Sequence, residues 1–259
     1  SLIMDFNDSQ QEAAFRKEAR DFLEANAEKR SIISDKPNDK NPQIAVAGAP
    51  ETVKGGKEAA QDALERAKVW QKKKAEAGFA AILWPKEFGG YGGSPIQQVI
   101  YSQEEHDYLV PSGYFEIGIG MLGPTMMVWG KDEDKKRYLP KMITGEEIWC
   151  QLFSEPSAGS DLAGIKMKAE KDGDEWVLNG QKVWTSGAHF ADYGMIVARS
   201  DPSALKHKGL TYFYLDMKTP GIEIRPIKQI SGTSNFNEVF FNDVRIPDSQ
   251  RLGLSLIHI

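Results

Sequence analysis

The chain has 259 residues, 41% hydrophobic and 27% charged, with a formal net charge of −5. This is ordinary globular composition, enough for one large domain or two modest ones, and the acidic balance leaves no footprint for nucleic acid or an anionic membrane. One cysteine, Cys150, excludes an internal disulfide framework and fits a reducing, cytoplasmic compartment, no apolar run approaches the ~20 residues that span a bilayer, and no secretory or organellar leader is legible.

Met4 reads as a natural start, with Ser1 to Ile3 upstream of it. Asp8 to Arg30 reads as a first helix: Ser9 and Glu12 form a capping-box pattern, and Phe15, Ala19, Phe22 and Leu23 recur at helical spacing. Ser31 to Gly56, punctuated by Pro37, Pro42, Gly48, Pro50, Gly55 and Gly56, predicts a loop. Lys57 to Ala77 returns to helix, with Ala60, Leu64, Ala67 and Trp70 on one side and Gly78 as the stop. The basic triplet Lys72 to Lys74 reads as a solvated face, with a hold on cofactor phosphates as the lesser alternative. Trp84 to Gly93 is a loop. Ser94, Pro95 and Gln97 open the next helix, in which Glu104 and Glu105 read as surface charge.

Gly118-Ile119-Gly120-Met121-Leu122-Gly123 matches Gly-x-Gly-x-x-Gly. A dinucleotide site needs a strand before this motif and a helix opening after it, within a βαβ unit. The flanks here read helical and Pro124 follows, so that site is rejected. Asp132 to Leu139 predicts a short helix interrupted by Pro140, and Gly145 closes the helical part. From Ile148 the period changes to alternation, carried by Ile165, Met167 and Ala169. Strands are expected at Glu175–Leu178, Gln181–Thr185, Tyr193–Ala198, Leu210–Met217, Ile222–Ile227 and Glu238–Phe241, with Asn179-Gly180 as a hairpin turn. The expected class is α+β: an all-α domain over residues 1–145, then a small antiparallel β-barrel or sandwich over 146–253. Cys150 reads as core filler.

Two stretches carry the chemistry. Gln151-Leu152-Phe153-Ser154-Glu155-Pro156-Ser157-Ala158-Gly159-Ser160-Asp161 is an apolar run ending in a turn rich in hydroxyls, able to offer N–H and O–H donors to an anion or a heteroaromatic edge. Asn179-Gly180-Gln181-Lys182-Val183-Trp184-Thr185-Ser186-Gly187 places a large ring near a strand end beside two hydroxyls. Read locally, the first is equally a plain Ser/Gly turn and Trp184 equally a core residue. As a pair they resemble the flavin-binding signature of the acyl-CoA dehydrogenase family, bacterial type, and the resemblance runs from about Asp5 to about Gly253.

The resemblance implies FAD as cofactor and an acyl-CoA thioester as substrate, oxidised across its α,β bond. It implies that Trp184 packs on the flavin ring, that Ser154, Thr185 and Ser186 and the backbone of Gln151, Leu152 and Phe153 meet its polar edge, and that Gly159 and Ser160 serve the diphosphate or the thioester. It further implies that Gly118, Gly120 and Met121, with Ser160, border the acyl group. Glu155 is expected to be a structural carboxylate. The family's catalytic base belongs to a C-terminal four-helix domain beyond residue 259, so no catalytic residue is assigned and a truncated fragment is expected. Electron-transfer flavoprotein is the implied electron acceptor and a homodimer or homotetramer the implied assembly; neither metal, nucleic acid nor membrane is called for. An acyl-CoA oxidase, a flavin monooxygenase relative or a non-enzymatic acyl-CoA-binding module are the alternatives. Leu254 to Ile259 departs from the family pattern and reads like a translated sequencing adapter, a tail without function.

Overall fold

The computed structural model describes residues 8–30, 56–157, 162–204, 206–228 and 235–253. The loop expected from Ser31, as far as residue 55, and the tail from Leu254 lie outside the described residues. The described chain forms two compact units that divide between Pro111 and Ser112.

In the first unit, α1 (Gln10–Asn26), α2 (Gly56–Ala77) and α3 (Pro95–Glu105) supply Phe15, Leu23, Trp70, Ile100 and Tyr101 to an aromatic core that Phe79, Ile82 and Tyr108 complete from the connecting segments. The helix starts follow their capping chemistry. The Glu12 N–H donates to Ser9 Oγ (3.1 Å) and the Ser9 N–H to Glu12 Oε2 (3.0 Å), and Ser94 and Gln97 repeat the exchange at α3. A two-residue ladder, β1 (Glu28–Lys29) with β2 (Tyr108–Leu109), ties the end of α1 to the end of α3. Glu104 is not surface charge. It is buried and accepts from Arg16 (3.1 Å) and from Arg20 Nη2 (2.9 Å). Burial pushes its carboxyl up, but the two guanidiniums outweigh that and hold it below the usual carboxylate range. Within the basic triplet, Lys72 and Lys73 are exposed, while Lys74 turns onto the Tyr101 ring and Glu105.

The second unit begins with helical residues. Gly118–Leu122 form a π-turn that runs straight into α4 (Gly123–Trp129), followed by α5 (Asp132–Thr144). The Gly-x-Gly-x-x-Gly run therefore follows no strand. α5 passes through Pro140 instead of ending before it. Pro140 and Lys136, whose carbonyl loses its helical donor, are both exposed, so water can serve that carbonyl. Leu139, Met142 and Ile143 meanwhile continue one buried face, and Gly145 ends the helix at φ 78°.

The rest is one eight-stranded sheet in the order β10-β7-β6-β4-β5-β9-β8, with β3 pairing β6. Its strands are β3 (Trp149–Leu152), β4 (Lys168–Asp172), β5 (Glu175–Ser186), β6 (Tyr193–Arg199), β7 (Leu210–Asp216), β8 (Ile222–Pro226), β9 (Phe236–Pro247) and β10 (Arg251–Leu252). Most pairs are antiparallel, but β3 runs parallel to β6, from Trp149 opposite Tyr193 to Leu152 opposite Ile196. β6 lies between neighbours and is covered on both faces, so Gly194 to Ala198 are all buried and show no alternation. Leu178, Met195, Phe213, Val239 and Val244 fill the core. Cys150 is buried within it, and desolvation pushes its thiol up to about 12, which leaves it inert.

The expected hairpin at Asn179-Gly180 does not form. β5 is continuous there, and its turn toward β4 is Gly173-Asp174, with Gly173 at φ 62°. Asn179 and Gly180 instead make a bulge where the β5–β9 register slips between Leu178 and Gly180. Asn179 Nδ2 donates to Asp243 Oδ1 (3.0 Å) and the Asp243 N–H to Asn179 Oδ1 (2.8 Å). The amide is spent across the sheet on β9, so it is unavailable to a local turn.

Candidate cofactor site

Gln151 and Leu152 are the last residues of β3. Leu152 is buried and Gln151 half-buried. Phe153 and Ser154 leave the strand, the Phe153 ring meeting Tyr212 edge-on at 5.0 Å. Gly159 and Ser160, assigned to the diphosphate or thioester, lie outside the described residues. At the entry to the turn, Glu155 is 3% exposed and accepts from the N–H groups of Lys166 (2.6 Å) and Met167 (3.2 Å). Its other partner is Lys182, 2.8 Å away and 0% exposed. Lys182 Nζ also donates to the Phe153 carbonyl (3.1 Å), and the Val183 N–H to the Ser154 carbonyl (2.8 Å). The two sequence motifs are thus joined by a buried ion pair and a backbone bond.

β5 carries a second register slip, between Lys182 and Thr185. Trp184 stands in it at φ 55°. That backbone region is unfavourable for a residue with a side chain by roughly 1–2 kcal/mol. The residue is 55% exposed, and its ring meets Phe236 edge-on at 5.9 Å. A large aromatic held in a strained backbone and left half in water is not core packing. Thr185 and Ser186 follow, opposite Asn237 and Phe236 of β9. Asn237 Nδ2 donates to the Thr185 carbonyl (3.1 Å) and lies 3.1 Å from His189 Nδ1. Burial lowers the His189 pKa against that contact, so the ring is neutral near pH 7. Thr185 Oγ1 and Asn237 Oδ1 are buried without a hydrogen-bond partner. Unpaired buried polar atoms are rare in a finished structure.

Of the residues assigned to the acyl group, Gly118 is buried, where a Cβ would come 3.3 Å from Met142 and 3.8 Å from Trp149 of β3. Gly120 has open space around it and Met121 is 46% exposed. The π-turn therefore presents Gly120 and Met121 outward while Gly118 backs onto β3. No His, Cys, Asp and Glu cluster fit to hold a metal occurs among the described residues.

Residues 49–146 match the family model for the acyl-CoA dehydrogenase N-terminal domain, and residues 150–244 the model for the acyl-CoA dehydrogenase middle domain. The chain belongs to the acyl-CoA dehydrogenase family. Among curated relatives of this acyl-CoA dehydrogenase chain, IpdE1 of Mycobacterium tuberculosis is 42% identical over 191 residues, 74% of this chain and 50% of the relative. FadE34 of the same organism is 48% identical over 179 residues, 69% of this chain and 25% of the relative. The solved Tcur3481-Tcur3483 steroid ACAD superposes with a TM-score of 0.73 at 29% identity, covering 97% of this chain and 59% of that one. The chain therefore spans half or less of the curated relatives it matches here.

Sequence reasoning missed Lys182, Asn237 and His189. The missing signal for Lys182 is parity. Strict alternation would leave one of two neighbours on a solvated face, yet Lys182 and Val183 are both buried. Asn237 and His189 gain their roles only through the pairing of β5 with β9.

Proposed function

We propose that the protein of which this chain is part catalyses FAD-dependent α,β-dehydrogenation of an acyl-CoA thioester. The observation that carries the reading is Trp184, exposed and strained, in a chain of this family. Its ring offers a flat apolar surface to the isoalloxazine. The Ser154 hydroxyl, Ser186 and the Gln151–Phe153 backbone supply polar contacts along one edge, with Thr185 Oγ1 as a further buried hydroxyl. Packing one aromatic face over roughly 150 Å² at ~25 cal/mol per Å² gives about 4 kcal/mol before ordering costs. FAD, when bound, supplies the acceptor for the hydride from the thioester β-carbon.

We place Gly120 and Met121 beside the acyl group, and Gly159 and Ser160 at the diphosphate or thioester. The similarity to the Tcur3481-Tcur3483 steroid ACAD supports a bulky acyl group. No catalytic base is assigned within residues 1–259. Glu155 is excluded from that role because its oxygens are occupied by Lys182 and two backbone N–H groups. The domain division at 145/146, an electron-transfer flavoprotein acceptor, a multi-subunit assembly and a cytoplasmic location belong to the same proposal. The solved ChsE4-ChsE5 complex of Mycobacterium tuberculosis supports assembly. No helix among the described residues is long and apolar enough to cross a membrane.

The test is reconstitution. The chain titrated with FAD should quench flavin fluorescence, and Trp184→Ala should weaken binding. Anaerobic acyl-CoA should leave the flavin absorbance of the chain unchanged and bleach that of the complete protein. Absence of any flavin binding by the complete protein would exclude the reading, and bleaching by the chain alone would place a base within these residues.

A further inference from the structure

The buried pair Lys182–Glu155 joins the two motifs on which the flavin reading rests. Three bonds hold the Phe153–Glu155 segment to β5: Lys182 Nζ to the Phe153 carbonyl, Lys182 Nζ to Glu155 Oε2, and the Val183 N–H to the Ser154 carbonyl. The other Glu155 oxygen takes the Lys166 N–H, so the turn is also pinned to the segment that leads into β4. A trans peptide points its C=O and N–H in opposite directions. Anchoring the Phe153 carbonyl on Lys182 therefore aims the Ser154 N–H away from Lys182. Two residues beyond Lys182 on the same strand, Trp184 is presented by the register slip.

We propose that Lys182 is a positioning residue for the cofactor, a buried clamp that fixes the Ser154 peptide and the Trp184 ring in one relative geometry; this rests on the flavin reading above. Apolar side chains would fill the same space without the desolvation cost of two buried charges. What they cannot do is orient a specific carbonyl. Glu155 is the charged side chain that faces Lys182 among the described residues, and burial acting against it pushes the lysine down to about 8. The pair thus holds its geometry against a considerable desolvation penalty.

The test uses Lys182→Met, which keeps length and removes the donor, and Glu155→Gln, which keeps shape and removes the charge. FAD titrations of the complete protein, the visible circular dichroism of bound flavin, and amide hydrogen exchange over residues 151–157 are read for each. Lys182→Met should bind FAD at least tenfold more weakly, with an altered visible dichroism and faster exchange at Ser154 and Glu155. Glu155→Gln should show the same changes to a smaller degree. If Lys182→Met does not fold, Glu155→Gln decides. A folded variant with wild-type affinity, dichroism and exchange overturns the clamp. Failure of the wild type to bind FAD counts against the flavin reading instead, and the exchange rates, which need no flavin, still judge the clamp.

Discussion

Trp184 combines an unfavourable backbone with an exposed ring, and the two together allow a prediction. Asn tolerates positive φ better than any other side chain of ordinary size. Trp184→Asn should therefore raise the stability of the cofactor-free protein by about 0.5–1 kcal/mol in a urea titration, while FAD affinity falls. A stability loss above about 1 kcal/mol would mean that the ring is a structural element of the sheet. Which residues to propose was legible: the paired motifs single out Ser154, Trp184 and Ser186 as candidates by type and spacing. The strain at Trp184 was not, because φ there is set by how β5 slips against β9, and no local pattern encodes that slip. Glu104 and Lys182 were opaque for a related reason. A charge is read as surface until its partner, far away in sequence, is brought to it.

At the level of elements, capping chemistry was the most readable signal, since Ser9 with Glu12 and Ser94 with Gln97 act within one turn of chain. Turn chemistry was less so. Asn179-Gly180 has a hairpin's composition, but Asp243 captures the asparagine and the glycine is spent on a bulge at φ 145°. A Cβ on Gly180 would come 3.2 Å from the Met167 backbone. Gly180→Ala should accordingly lower stability by about 1–3 kcal/mol, through strain and crowding together. The measurement is a denaturant midpoint with unchanged slope, and a neutral result would mean that the bulge relaxes freely. Pro140 makes the complementary point: a helix-breaking residue is tolerated where it and Lys136 are exposed and the opposite face of the helix is buried.

For the molecule as a whole, class and order of elements followed from the change of period near Ile148, whereas the sheet's connectivity did not. β3 pairs in parallel with β6, and the Ile148 N–H donates to Asp192, 44 positions on; no local pattern encodes such a partner. Closure of the sheet unit also carries a pH dependence. Asp248 accepts from Trp176 Nε1 (2.7 Å) and Arg251 Nε (3.1 Å), joining the start of β5 to β10. Those two partners, the arginine foremost, lower its carboxyl from 3.8 to about 2. A depressed carboxylate stabilises the fold above its ordinary pKa and loses that contribution as pH falls from about 4 toward 2. The carboxylate is a third exposed, so solvent screening limits the effect to below about 1 kcal/mol. Asp248→Asn should flatten the acid limb of melting temperature against pH over that window, and an unchanged limb would remove Asp248 from the account. The parallel pairing has one more consequence, in time. A nascent chain emerges from its N-terminus, so β3 leaves the ribosome long before β6 and cannot pair until β6 follows. Lys182 emerges earlier than β6 and can find Glu155 first. The wall that would meet a flavin is thus assembled in instalments, and the pairing of β5 with β9 that presents Trp184 comes last, once β9 has emerged.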